Sequence, residues 1–243
     1  MINNKRVLSI IPARMGSVGL PGKNVKVIGG KPMIAHSIEK ALSIKEIDRV
    51  IVSTEDEAIA GIARKYGAET PFLRDKKLAT NSAPLILVIA DAIKRMEKAG
   101  ERFDYVLVLQ ANSPLTKIAD IYSVIKKIVE EELDAVFTVC KVDHPSQWTL
   151  RIKDSIPEFA FIDGYDRAIT HRQAEETLYR STGAAFAGRV EYILNNMDTA
   201  RLCLPGPKQK RGVVITDSMS SIDIDNELDF YVAEAIFKLK RVK

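Results

Sequence analysis

Through residue 142 the chain alternates short apolar runs with longer stretches whose apolar residues recur every three or four positions. Residues 7–11, 49–53, 105–110 and 135–142 read as strands. The first of these, VLSII before Pro12, is apolar almost throughout, as a strand covered on both faces must be. Four helices are expected between them. Residues 33–42 follow Pro32 and carry Ile34, Ile38 and Leu42 on one face, and residues 56–66 carry Ile59, Ile62 and Ala63 and stop at Gly67. Residues 82–98 tolerate Pro84 near their start, and residues 118–131 form the fourth helix. Strands alternating with helices across short connections imply an α/β fold, a mostly parallel sheet flanked by helices.

After residue 142 the rhythm fails. Residues 143–182 are polar and irregular, and are expected to be an insertion within a single domain spanning 1–243, serving as a lid or a dimerisation arm. Residues 183–188, 213–215 and 221–224 read as short strands, and residues 190–195 as a short helix. Residues 208–211 read as a loop. Residues 226–239 read as a final amphipathic helix with Leu228, Val232, Ala235, Ile236 and Leu239 on its apolar side.

Composition excludes several classes. With 46% hydrophobic and 28% charged residues the chain is ordinary globular material, not a disordered or disulfide-dense one. The longest apolar run, residues 85–90, is far too short to cross a bilayer, and the start, MINNKRVLSIIPAR, has no signal-peptide apolar region. Cys140 and Cys203 have no metal or redox spacing, which fits reduced thiols in a cytoplasmic protein. The 36 basic and 32 acidic residues leave a net charge of +4, spread along the chain. That is no nucleic-acid footprint, but it suits one anionic small molecule.

Three segments could carry chemistry. Residues 12–24 form a glycine-punctuated loop after the first strand, where Gly16, Gly19 and Gly22 could bring backbone N–H groups to an anion and Arg14 and Lys23 add positive charge. It has neither dinucleotide-binding nor Walker spacing, and a plain turn fits it as well as a triphosphate cradle. In SIDID, residues 221–225, an extended chain would point Asp223 and Asp225 the same way, towards a hard cation such as Mg²⁺. Alternatively, Asp225 caps the last helix. Residues 109–114, LQANSP, could present amides and a hydroxyl at the sheet edge, or simply turn the chain. His36, His144 and His171 lack metal-ligand spacing, and His36 is expected to be structural.

Taken together and in this order, these motifs resemble the acylneuraminate cytidylyltransferase family, the CMP-sialic acid synthetases. IPARMGSVGLPGKN is similar to the family's signature loop. STEDEAIAGIARKYGAE with Leu73-Arg74, the strand end 109–115, Arg172-Gln173 with Tyr179-Arg180 and Gly183-Ala184, and SIDIDNELDF match further segments over nearly the whole chain. The resemblance implies a nucleotidyltransferase fold, Rossmann-like or GT-A-like. The implied reaction is attack of an acidic sugar's anomeric hydroxyl on the α-phosphate of CTP, with loss of pyrophosphate. It also implies roles. Arg14 and Lys23 would hold the triphosphate and, with Asp223, serve catalysis. Ser17, Asn24, Arg74 and Ala83 would complete the nucleotide site. Gln110, Arg172, Arg180 and Phe186 would face the sugar, and Asp223 and Asp225 would hold Mg²⁺. A homodimer is implied, with Arg180 reaching the sugar from the partner subunit.

The chain departs from the family pattern at Val18, where Lys is usual, at Ala111, Asn112 and Thr116 in the strand end, at Gln147, and at Phe186, where Tyr is common. Losing a charged partner for a sugar carboxylate costs about 1.5–3 kcal/mol unless another cation substitutes. Alternatives are a same-fold nucleotidyltransferase for another sugar or sugar phosphate, and a non-catalytic nucleotide-binding paralogue. All versions require Lys23 and the acidic pair to meet across one cleft.

Overall fold

The computed structural model describes residues 2–143, 149–160, 177–197 and 209–241. Its centre is a six-stranded sheet in the order β10-β6-β9-β5-β1-β4. The strands are β1 (Val7–Pro12), β4 (Arg49–Ser53), β5 (Tyr105–Leu109), β6 (Ala135–Lys141), β9 (Tyr179–Arg189) and β10 (Arg211–Thr216). β1 pairs in parallel with both β4 and β5, and β10 pairs in parallel with β6. β9 runs antiparallel between β5 and β6, so the sheet is mostly parallel, as expected.

Helices cover both faces. α1 (Met33–Leu42), α2 (Glu57–Lys65) and α4 (Ile118–Glu130) bury Ile34, Ile38, Ile59 and Ile125 on one side. α3 (Leu85–Lys98) and α5 (Val190–Asn195) bury Ile89, Ile93 and Ile193 on the other. A ribbon of β2 (Val27–Ile28) and β3 (Lys31–Pro32) turns at Gly29 and Gly30, both with positive φ (59° and 93°), as a two-residue hairpin requires. A third apolar cluster joins Leu20 and Ile28 to Ile224 and to Phe230 and Ala233 of α6 (Glu227–Arg241). It clamps the glycine-rich loop, the ribbon and the acidic segment together.

The differences from expectation have local causes. The Asp56 side chain accepts from the N–H groups of Ala58 and Ile59, so it caps α2 instead of opening it. α3 starts at Leu85, after Pro84, not at residue 82. The strand expected at 183–188 runs over Tyr179–Arg189, with a bulge where the register with β6 shifts. Residues 222–225 are irregular and pair with no strand. On α6 most of the predicted apolar side faces outward, with Leu228 71% and Leu239 69% exposed, while Ile236 packs on the third cluster beside the buried Phe230 and Ala233. Of the expected inserted segment, residues 150–159 form an antiparallel hairpin of β7 (Leu150–Lys153) and β8 (Ile156–Phe159), and residues 144–148 and 161–176 lie outside the described residues, as does Cys203. Cys140 is buried and free. Among the described residues no helix is long and apolar enough to cross a membrane.

Candidate active site

β1 has a parallel neighbour on each side, reached in opposite directions along the sheet. At such a switch point the connections leaving the carboxyl ends diverge and a crevice opens between them. Here the crevice is a cleft of about 550 Å³, lined by the loop after β1, the segment after β5, Arg74 and the start of α3.

Backbone and side-chain hydrogen bonds hold the loop from beneath. The Ala13 N–H donates to the Ser53 carbonyl at 3.0 Å. The buried Asn24 amide donates to the Arg14 carbonyl at 2.8 Å, and the Met15 N–H donates to Glu55 at 2.9 Å. Arg14 is then placed at the rim, where its guanidinium bonds Asn81. The glycines differ in purpose. A Cβ on Gly19 would lie 2.3 Å from the Asp225 carbonyl oxygen, so only glycine permits the loop to approach the acidic segment. Gly22 has a left-handed φ of 65°, and Gly16 faces open space.

Ile224 is fully buried in the third apolar cluster, and this anchors the aspartates on either side of it. The Ile224 N–H donates to the Asn112 carbonyl at 2.8 Å, the Asn112 amide donates to Asp225 at 3.1 Å, and the Ser113 hydroxyl donates to Asp223. Asp225 does not cap α6. Asn226 and Asp229 do so reciprocally, each side chain accepting from the other's N–H. Lys23 Nζ lies 2.8 Å from Asp225 Oδ1 and 3.0 Å from the Ile224 carbonyl, so the basic loop and the acidic segment meet across the cleft as required.

Burial, reinforced by the negative charge of Asp225, pushes the Asp223 carboxyl up to about 6, against the Ser113 hydrogen bond and the charges of Arg180 and Lys23. A half-buried carboxylate held beside a second one is under-compensated, which is the situation a hard divalent cation relieves. Two carboxylates with further oxygens from phosphate and water are a usual Mg²⁺ set, so these residues fit that ion. Among the described residues no group of three or more His, Cys, Asp or Glu offers an all-protein cage.

The remaining candidate residues divide. Ser17, Lys23, Asn24, Ala83 and Gln110 line the cleft, as do Arg74 and Arg14. Arg74 does so from beneath, with its guanidinium bonded to Glu55 at 2.9 Å. Val18 borders the cleft at 72% exposure and brings no charge. Arg180, the second residue of β9, is close enough to Asp223 for its charge to be felt, and Gly183 brings the β9 bulge against the Asp223 carboxylate. Phe186 does not face a sugar pocket: it is 2% exposed, packed under α3 among the apolar residues of that face. Its alternation in β9 points it into the core. Arg172 lies outside the described residues. Sequence reasoning did not single out Glu55 or Asn81. Asn112 was read as an amide at the sheet edge or as turn material, not as a partner of Asp225, and that contact spans 113 positions, beyond any local signal.

A cytidylyltransferase family model matches residues 8–154. Over 241 residues the chain is 30% identical to CMP-N,N'-diacetyllegionaminic acid synthase of Legionella pneumophila, covering 97% of this chain and 98% of that protein. It is 32% identical to pseudaminic acid cytidylyltransferase of Campylobacter jejuni over 181 residues, 74% of this chain and 77% of that one. With N-acylneuraminate cytidylyltransferase of Escherichia coli it shares 31% identity across 97% of this chain and 53% of the relative. In fold it is similar to CMP:2-keto-3-deoxy-manno-octonic acid synthetase complexed with CTP, at a TM-score of 0.71 and 17% identity, covering 97% of this chain and 99% of that one. The chain belongs to the cytidylyltransferase family and is a nucleotidyltransferase.

Proposed function

We propose that this protein transfers CMP from CTP to the anomeric hydroxyl of an acidic sugar of the nonulosonic type, the class named in the legionaminic, pseudaminic and N-acylneuraminic relatives. The observation that carries the reading is the meeting of Lys23 with the Asp225 segment across one cleft at a carboxyl-end switch point. The sugar hydroxyl oxygen forms a bond to the α-phosphorus while the bond to pyrophosphate breaks, and the hydroxyl proton is released. Arg14 and Lys23 face the triphosphate and offset the charge that grows on the departing pyrophosphate. Ser17 and the loop's backbone N–H groups order the phosphates, and Ala83 and Arg74 border the nucleoside. Gln110, Arg180 and Arg172 serve the sugar.

Asp223 and Asp225 would hold Mg²⁺, which supplies positive charge to the phosphates when bound. Residues 143–182 serve in this reading as a lid or a dimerisation arm. The outward-facing Leu150, Ile152 and Ile156 of hairpin β7–β8 are the apolar surface a partner subunit would cover. A homodimer working in the cytoplasm, where CTP is made, completes the proposal.

The test is a pyrophosphate-release screen of CTP, ATP, GTP and UTP against nine- and eight-carbon sugar acids and sugar phosphates. CTP with a nine-carbon acid is the expected pair. Activity confined to GTP or UTP with a sugar phosphate would overturn the proposal, and CTP binding without turnover on any sugar would make the chain a nucleotide-binding paralogue.

A further inference from the structure

We propose that Glu55 is a positioning residue for the nucleotide, holding the glycine-rich loop with one carboxylate oxygen and Arg74 with the other. The inference rests on the nucleotide-cleft reading above and deepens it.

Glu55 lies two residues beyond β4, where the chain must turn into α2. Thr54 begins the turn by accepting the Asp56 N–H, and Asp56 then caps α2. Glu55 is thereby left on the inner side of the turn, at the carboxyl edge of the sheet. Its Oε1 accepts the Met15 N–H at 2.9 Å, and its Oε2 accepts from Arg74 Nη2 at 2.9 Å.

The pair is enclosed: the Arg74 side chain is 3% and the Glu55 side chain 14% exposed. Arg74 is fixed a second time by its own N–H, which donates to the Thr54 carbonyl at 2.8 Å, and its Nη2 also approaches the Ala13 carbonyl at 3.4 Å. The carbonyl or N–H groups of Ala13, Arg14 and Met15 are thus tied in succession to Arg74, Asn24 and Glu55. These bonds hold the stretch of backbone that aims Arg14.

Arg74 Nε has no hydrogen-bond partner among the described residues, although it is buried, and Arg74 borders the cleft. Buried donors are rarely left unpaired without a use. Glu55 holds the Nη2 end of the guanidinium, and the remaining donors of Arg74 are left for an acceptor on the nucleotide. A carboxylate is needed for this: a neutral side chain at residue 55 would leave the buried Arg74 charge uncompensated.

The test compares Glu55→Gln, Glu55→Ala, Arg74→Ala and the double variant Glu55→Ala/Arg74→Ala with the unaltered protein. It reads KM for CTP, KM for the sugar acid, kcat, CTP binding by calorimetry without sugar, and thermal midpoint. Expected for Glu55→Ala is a rise in KM for CTP of at least tenfold, with sugar KM within twofold. Glu55→Gln, which retains an acceptor for the Met15 N–H, should fall between. The double variant should be no worse than the more severe single one. If Glu55→Ala does not fold, the near-isosteric Glu55→Gln decides alone. A merely structural residue would lower the thermal midpoint and kcat while leaving both KM values together; that result would overturn the proposal, as would CTP binding unchanged in folded variants. Failure of the unaltered protein to bind any cytidine nucleotide would instead overturn the cleft reading on which the proposal stands.

Discussion

His36 should make stability fall in mild acid. Its ring is buried in α1, with its centroid 4.7 Å from that of Phe237. Nε2 lies 2.9 Å from the Ile28 carbonyl, which can only accept, so Nε2 carries the proton in the neutral ring. Burial, joined by the charges of Lys31 and Lys40, lowers its pKa to about 4, against the Ile28 hydrogen bond and Glu39. The unfolded chain then binds a proton near pH 6.5 that the folded chain refuses until about pH 4. The stability this withholds is fully present above pH 6.5 and lost as pH falls towards 4. At pH 4.5 the loss amounts to about 2.5 kcal/mol, from a shift of roughly 2.5 units at 1.36 kcal/mol each, less the part not yet titrated. The comparison variant is His36→Gln, which retains an N–H donor for Ile28 and cannot titrate. Urea unfolding at pH 7.5 and 4.5 should show the advantage of the unaltered protein over the variant shrinking by about 2.5 kcal/mol. A gap constant to within about 0.5 kcal/mol across that interval would show that the ring protonates without penalty, and the burial argument would be wrong.

Two other outcomes are expected. Asp223→Asn should fold normally and lose Mg²⁺-dependent turnover by a hundredfold or more in a pyrophosphate-release assay; unchanged turnover at limiting Mg²⁺ would remove Asp223 from the metal set. Gly19→Ala, whose new methyl would collide with the Asp225 carbonyl, should weaken CTP binding at least tenfold by calorimetry, while Gly16→Ala stays within twofold.

The α/β class was legible because it depends on local periodicity: the first four strands of the central sheet and the four helices among them carry their own apolar spacing. What escaped depends on partners far along the chain. β9 becomes an antiparallel strand between β5 and β6 only through pairing with both, and its own sequence suggested six residues where eleven are found. The same pairing turns Phe186 inward, away from the sugar role that resemblance implied. Asp223 and Asp225 do sit together, but no strand alternation puts them there. Ile224, drawn into the cluster with Leu20 and Phe230, does so, with Asn112 and Ser113 receiving the segment. On α6 Phe230, Ala233 and Ile236 turn inward because Ile28 of the ribbon and Met33 of α1 are there to pack against, which leaves Leu228 and Leu239 outside. Glu55 gave no signal at all, since one acidic residue beside a helix cap is ordinary in any sequence.

The ion pair between Lys23 and Asp225 also bears on how the enzyme meets its substrate. A pocket lined with bare cations would attract every polyphosphate in the cell and would release it sluggishly. Here Lys23 already has a mate in Asp225, so a lone anion must break that union to reach Lys23, whereas a nucleotide that arrived with its own divalent counter-ion would bring a replacement for both halves. On the metal role proposed for Asp223 and Asp225, such an exchange would conserve charge, favour the metal complex over the naked triphosphate and leave the encounter only weakly sensitive to ionic strength.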